Sequence, residues 1–288
     1  MGLWRAIARR LLLVGATIAV GGFLSATMVR YSPGFGTDER QLDARLSRES
    51  IEAIHSASTG QQNIALYYLR SMCRVFTGDL GTSQSLHHPV RDLLAERSLI
   101  TLRMVAFGLA IAWASALFLV TLTWLLRAEG LEKLCTVASG LLLCIPAGAM
   151  AILLVLLDAP AYLALALVVF PKIQRYLADL VSSTSRMPHM ITAKSKGLSE
   201  TKLLLWHVVP IIRREVLALA GVSLALAVSA AIPVEALCGV PGIGQLAWQS
   251  ALARDLPVLM YVSLLVIACT VLANSGADLL ADERRELS

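Results

Sequence analysis

The sequence predicts an all-α, polytopic membrane protein with six transmembrane helices, and two observations lead to this fold class. Hydrophobic residues make up 57% of the 288 residues, charged residues make up only 16%, and the mean hydropathy is +0.69. Soluble domains are about half apolar and about one quarter charged, so this composition lies outside their usual range. The apolar residues also fall in long runs, each close to the roughly 20 residues that a helix needs to cross a bilayer.

The predicted spans follow these apolar runs along the chain. They lie at approximately 8–29, 99–126, 134–157, 160–181, 216–237 and 257–280. Arginines precede the first run as they do in a signal peptide, but its length and weak cleavage site favour an uncleaved span. Only the short stretch LDAP (157–160) joins the third run to the fourth, which predicts a tight hairpin between them.

The distribution of basic residues predicts that both termini lie in the cytoplasm. All lysines outside the predicted spans fall in segments that this orientation places inside, and Lys172 lies in the inner half of the fourth span, in agreement with the positive-inside rule. The net charge of +5 is therefore explained by topology. No nucleic-acid-binding module accompanies it, and no nucleic-acid partner is expected.

This topology divides the chain into three parts. Residues 1–29 form the N-terminus and the first span, residues 30–97 form an extracytoplasmic segment, and residues 98–288 form a core of five spans. Within the second part, apolar residues at helical spacing predict an amphipathic surface helix over 39–54. Within the third part, residues 238–256 are predicted to form a short outer loop with a Pro-Gly turn.

The sequence contains no motif of an enzyme or of a self-sufficient transporter. It has no H-E-x-x-H, no G-x-S-x-G and no P-loop. It lacks the repeat symmetry and the midplane acidic residues typical of secondary transporters. Its five cysteines form no metal-binding pattern, and a disulfide between Cys73 and Cys238 is left open. We therefore expect no catalytic residue, metal site or cofactor site, and an energy source on a partner protein.

A polar and basic segment, residues 186–214, interrupts the apolar chain. Gly197 can adopt a positive φ and end a helix, and Ser199 can cap a following helix that has Glu200 in its first turn. The pattern predicts a short helix, a glycine turn and a second short helix over 200–208. The apolar residues of the second helix need a docking surface, either the membrane or a groove on a cytoplasmic protein.

The stretch TAKSKGLSETKLLLWH resembles the coupling segment of permeases in ATP-binding-cassette importers of the peptide/nickel family. The resemblance implies that one group of residues contacts an ATPase: Thr192, Ala193, Lys196, Gly197, Leu198, Ser199, Leu204 and His207. The chain departs from the motif at its start, where Ile191 and Thr192 replace an acidic residue and the first alanine.

Two further stretches resemble the same family. TGDLGTS at 77–83, followed by HPV, is similar to its GDxGxS segment, and VEALCGVPGIG, followed by RDLP, is similar to its V-E-x-x-x-x-PG-x-G segment. These motifs give the candidates for an extracytoplasmic gate or docking surface: Gly78, Asp79, Gly81, Glu235, Pro241, Gly242, Gly244, Arg254 and Asp255.

The resemblance implies a non-catalytic permease with a type I importer fold in the bacterial inner membrane. The implied partners are a second homologous permease, two ATPases that bind ATP and Mg, and an extracytoplasmic solute-binding protein. The implied solute is a di- or oligopeptide. Nickel or another small solute, and an ATPase-coupled peptide exporter or sensing subunit, are the alternatives. The short loop between spans three and four, and Arg103, depart from the family and leave the substrate class open.

Overall fold

The structure is a computed structural model that describes residues 2–30, 64–127 and 129–282. Within these ranges the chain is helical, and its one β-type contact is an isolated bridge between Thr82 and Pro89. The amphipathic helix predicted for 39–54 lies outside the described residues. The helices are α1 (Gly2–Arg30), α2 (Ile64–Thr77), α3 (Val90–Leu126), α4 (Glu129–Leu143), α5 (Ala147–Leu156), α6 (Ala161–Ser185), α7 (Pro188–Ser195), α8 (Glu200–Leu203), a π-helix (Leu204–Val208), α9 (Val209–Cys238), α10 (Ile243–Leu252) and α11 (Leu256–Asp282).

The all-α class predicted from composition is confirmed in the described part of the chain. Three helical stretches there are long and apolar enough to cross a membrane: Val90–Leu126, Glu200–Cys238 and Leu256–Gly276. A bent pair, Gly130–Leu143 with Ala147–Leu156, makes a fourth if it counts as one span. The count of six spans and the cytoplasmic location of both termini stay predictions.

The third predicted span, 134–157, is not one continuous helix. It is broken between Leu143 and Ala147, and its two halves are bent by 98°. Pro146 explains the break, because proline cannot donate a backbone hydrogen bond and disfavours helical backbone in the residue before it. Pro146 itself has extended backbone and stands at the N-cap of α5.

Two other predicted elements also differ from the structure. The second short helix, predicted for 200–208, does not end but continues through the π-helix into α9, giving 39 helical residues from Glu200 to Cys238. The π turn lies just before Pro210, which has no N–H to donate, so wider turns can continue the helix there. The predicted outer loop 238–256 contains a helix of ten residues, α10.

The chain forms two compact units. One consists of Met1–Arg97 with Leu246–Ala268, and the other of Ser98–Gln245 with Cys269–Ser288. In the first unit, α1 and α2 pack together, and the Oη of Tyr68 on α2 donates to the carbonyl of Ala19 on α1 at 2.8 Å. This unit thus combines an N-terminal part of the sequence with a segment more than 140 residues further along the chain.

The second unit is built around α6, which packs against α4, α5 and α9. Small buried side chains such as Ala164 and Ala227 let these helices approach closely, as in other membrane helix bundles. One buried polar pair joins α4 to α6: Ser139 Oγ donates to Gln174 Oε1 at 2.7 Å. In an apolar surrounding such a pair must be fully matched, which fixes the register of the two helices.

The contact between α3 and α6 depends on Gly108. A Cβ at this position would lie 3.0 Å from the carbonyl oxygen of Tyr162 and 3.0 Å from Leu165 Cδ2. We expect Gly108→Val to lower the free energy of unfolding by about 1–3 kcal/mol through overpacking. The measurement is the midpoint of thermal unfolding of the purified chain in detergent.

Gly140→Val is the matched control for this prediction. Gly140 is also a helical glycine, but no heavy atom lies within 4 Å of its Cβ position. Both substitutions have the same cost in helix propensity. A larger loss of stability for Gly108→Val therefore measures the close contact between α3 and α6. Equal midpoints for the two variants would contradict the close contact.

Candidate functional site

The glycine turn predicted in segment 186–214 is confirmed. Gly197 has a φ of +73° and separates α7, which ends at Ser195, from α8, which begins at Glu200. Ser199 occupies the N-cap position with extended backbone, but its hydroxyl makes no capping hydrogen bond. The position of the turn was therefore readable from the sequence, while the expected capping bond is not formed.

The apolar residues that follow the turn divide between two environments. Leu203, Leu204 and Val208 are at most 9% exposed and belong to the core of their unit. Leu205 and Trp206 are 56% and 75% exposed. Since the backbone is helical, one side of this stretch packs inward while the other presents a large apolar surface outward.

The other predicted residues of this segment are also split. Ala193 is buried and Leu198 packs against the core, whereas Thr192 and Lys196 are exposed. His207 is half-buried, and its Nδ1 has no hydrogen-bond partner in the described part of the chain. The segment therefore has both anchoring residues and residues available to a partner.

The end of α3 holds the start of α8. Trp124 Nε1 donates to the carbonyl oxygen of Glu200 at 3.2 Å, and the Arg127 guanidinium forms an ion pair with the Glu200 carboxylate. Arg127 is 71% exposed, so the ion pair contributes about 1 kcal/mol at most. The tryptophan bond is the more protected link. Neither residue was predicted from the sequence, because no local motif connects Trp124 or Arg127 to a segment more than 70 positions away.

A buried carboxylate organises the turn that leads into α10. Glu235, in the last turns of α9, is fully buried, and its Oε2 accepts a hydrogen bond from Gly244 N at 2.6 Å. Gly244 lies in the first turn of α10, where free N–H groups and the helix dipole favour a negative charge. The carboxylate therefore replaces backbone hydrogen bonds that the helix start cannot make for itself.

The two glycines of this turn are required by close contacts. A Cβ on Gly242 would collide with the Glu235 carboxylate, and a Cβ on Gly244 would lie 2.5 Å from Ile232 Cα. Thr101 on α3 also contributes, because its Oγ1 accepts a hydrogen bond from Ile243 N at 2.8 Å. The predicted residues Glu235, Pro241, Gly242 and Gly244 thus form one structural group, which we call the Glu235 turn.

A second buried carboxylate fastens the loop that precedes α3. Asp255 is fully buried, and its Oδ2 accepts hydrogen bonds from Ser83 Oγ at 2.5 Å, Ser85 N at 3.0 Å and Ser85 Oγ at 2.8 Å. Its Oδ1 lies 3.4 Å from Val258 N in the first turn of α11, the position of a helix cap. Asp255 therefore binds the loop and starts α11 at the same time.

The remaining predicted outer residues shape this loop. Gly78 and Gly81 have φ values of +75° and +73°, and Gly81 N donates to Asp79 Oδ1 at 3.0 Å. Arg254 has a φ of +55° and precedes Asp255 directly. These residues, with Ser83, Ser85 and Asp255, form what we call the Asp255 clamp.

The nine predicted outer residues thus belong to two groups, and three residues that hold them were missed. Ser83 lies inside the quoted GDLGTS motif, so its polar side chain was a usable signal. Ser85 and Thr101 carry no such signal, because their partners come from distant parts of the sequence. Among residues 2–30, 64–127 and 129–282, no cluster of His, Cys, Asp and Glu could hold a metal ion.

Known proteins share sequence with much of this chain. A family model described as "Binding-protein-dependent transport system inner membrane component" matches residues 129–282, slightly more than half of the chain. A Brucella ovis protein whose name describes a peptide permease is 32% identical over 37% of this chain and 34% of its own length. The chain thus spans about a third of the length of that relative.

Two other similar proteins match over longer ranges. A Brucella abortus protein whose name describes a peptide transport system permease is 26% identical over 79% of this chain and 82% of its own length. A glutathione transport system permease protein from Salmonella paratyphi A is 26% identical over 95% of each chain.

The Asp255 clamp generates a prediction about stability. We expect Asp255→Asn to lower the free energy of unfolding by about 1–3 kcal/mol, because an amide NH₂ would face donors that now share a carboxylate oxygen. Thermal unfolding in detergent measures this loss. Asp158→Asn is the control, since Asp158 is exposed and its φ of +50° suits asparagine. A variant at Asp255 that is as stable as this control would show that the clamp contributes nothing.

Proposed function

Since the chain belongs to the family of binding-protein-dependent transport system inner membrane components, we propose that it is the permease subunit of an ATP-driven importer of peptides. The family description and the long apolar helices agree on a multi-pass protein of the inner membrane. In this proposal the chain forms part of the translocation pathway together with a second homologous permease. It contributes no catalytic residue, and ATP and Mg bind to two partner ATPases.

The single observation that carries the proposal is the construction of segment 186–214. Trp206 and Leu205 offer an exposed apolar face, and Leu203 and Val208 on the same helical stretch are fully buried. That stretch continues without interruption to Cys238. A force applied to the exposed face is therefore transmitted to the core and along a helix of membrane-spanning length.

The ATPase is the partner that fits this face. Helix-in-groove recognition uses a short helix with large apolar side chains, and Trp is enriched at the energetic centre of such interfaces. Gly197 allows α7 and α8 to meet at a sharp turn, so that both can enter one groove. Closure of two ATPases on ATP then moves the segment and switches the pathway between its inward-facing and outward-facing states.

The Glu235 turn and the Asp255 clamp suit the extracytoplasmic side of such a pathway. Each joins a loop to the end of an apolar helix through a buried carboxylate. Buried carboxylates that accept hydrogen bonds from backbone N–H groups or hydroxyls keep loops rigid, which favours docking of a solute-binding protein at a fixed position. Peptides are the proposed solutes, since similar proteins carry peptide and glutathione transport in their names.

Segment 186–214 generates a first functional prediction. We expect Gly197→Pro to abolish ATP-dependent uptake of a labelled peptide, because proline fixes φ near −65° while this turn has +73°. ATP hydrolysis by the associated ATPases should continue. The assay uses proteoliposomes that contain the permease pair, the ATPases and the solute-binding protein.

Gly197→Asn is the matched control, because asparagine tolerates a left-handed turn. We expect this variant to retain uptake, and the open space around the position allows its side chain. Normal uptake by the proline variant would refute the coupling role. Uptake by this chain without any ATPase would refute the proposed function as a whole.

The docking role of Trp206 is tested by a second pair of variants. We expect Trp206→Ala to weaken binding of the ATPase at least about thirtyfold, as truncation of a central interface tryptophan costs about 2 kcal/mol or more. Copurification and a titration with purified ATPase measure the affinity. Trp248→Ala, which removes a 56% exposed tryptophan from α10, is the control and should bind the ATPase normally. Equal affinities for both variants would refute docking at Trp206.

A further inference from the structure

The helix α2, which the charge distribution assigns to an extracytoplasmic segment, packs beside apolar helices. The Oη of Tyr68 donates to the carbonyl of Ala19 at 2.8 Å, and its ring meets Phe23 edge-on at a centroid distance of 5.6 Å. Ala19 and Phe23 both lie within the apolar stretch Leu12–Ser25 of α1. Tyr68 therefore reaches the middle of an apolar helix instead of its end.

The contact between α2 and α11 also lies well beyond the end of an apolar helix. Tyr261 Oη donates to the carbonyl of Ser71 at 3.4 Å. A Cβ on Gly22 would lie 2.7 Å from both Tyr68 Oη and Leu264 Cδ1, so the three helices meet at this glycine. At 1.5 Å per residue, Leu264 lies roughly 12 Å beyond the start of α11. That helix is long and apolar enough to cross a membrane from Leu256 to Gly276.

The opposite side of α2 is apolar with a basic edge. Leu66 and Leu69 are 46% and 61% exposed and lie on one strip with exposed Cys73, at the i, i+3, i+7 spacing of a helix face. Arg70 and Arg74 are exposed along the edge of this strip. The helix satisfies its own backbone groups, so membrane depth imposes no unpaired N–H or C=O on it.

We propose that α2 is inserted into the membrane interface, with Leu66 and Leu69 among lipid acyl chains and Arg70 and Arg74 extended to the headgroups. The depth of Tyr68 beside α1 and α11 argues for lipid over water. The basic edge argues for lipid over a protein groove, because long arginine side chains reach phosphates from an apolar layer. This inference goes beyond the proposed function and does not depend on it.

Insertion of Leu66 and Leu69 into lipid is tested with the full-length chain reconstituted into phosphatidylcholine liposomes. Leu69→Cys, in a background without the five native cysteines, is labelled with an environment-sensitive fluorophore. Iodide in the buffer and a lipid with a doxyl group high on its acyl chain are the two quenchers. His87→Cys in the exposed loop before α3 is the water reference, and Phe118→Cys, at a 64% exposed position of α3, is the apolar reference.

We expect the doxyl lipid to lower the fluorescence at position 69 about twofold, as for a face buried roughly 5–10 Å into the interface. Iodide should have far less effect there than at position 87. Quenching by iodide equal to that at position 87 would overturn the proposal and leave α2 in water. If neither quencher lowers the fluorescence at position 69, the proposal is overturned, because protein rather than lipid then covers this side of α2. Leu66→Cys repeats the measurement on the same strip and covers the case in which one variant fails to fold.

Discussion

Backbone N–H and C=O groups in apolar surroundings must be hydrogen-bonded within the protein. Where the helices of this chain are interrupted, side chains supply hydrogen bonds that the helical backbone no longer makes. Two of these side chains are buried carboxylates. Glu235 accepts the N–H of Gly244 at the start of α10, and Asp255 serves the first turn of α11 while holding Ser83 and Ser85. In both cases one side chain ends or begins a helix and fixes a neighbouring loop.

Local patterns of the sequence were sufficient for features that local chemistry determines. Gly197 adopts the predicted left-handed turn, and Ser199 stands at the predicted cap position, because both depend on a few adjacent residues. The all-α class follows similarly from long apolar runs. The break at Pro146 was also a local signal, but it was hidden within a run whose apolar length suggested an uninterrupted span.

Features that depend on contacts between residues far apart in the sequence could not be predicted from it. Trp124 and Arg127 meet Glu200 across more than 70 positions, and Thr101 meets Ile243 across 142. The continuation of α8 into α9 was missed for a different reason. Pro210 looks like a helix stop, yet a π turn carries the helix past it. Tertiary packing of Leu203 and Val208 in the core favours this continuation over a separate short helix.

The distance along the sequence between Ser83 and Asp255 also has a consequence for biogenesis. The two residues are 172 positions apart, and a ribosome needs roughly 10–30 s to synthesise that length. For most of this interval the loop before α3 is outside the ribosome, and throughout it the carboxylate partner does not yet exist. The same holds for Gly22 of α1, because its neighbour Leu264 belongs to α11, the last of the described helices to be synthesised. The first helix to be translated is thus among the last to reach its final contacts.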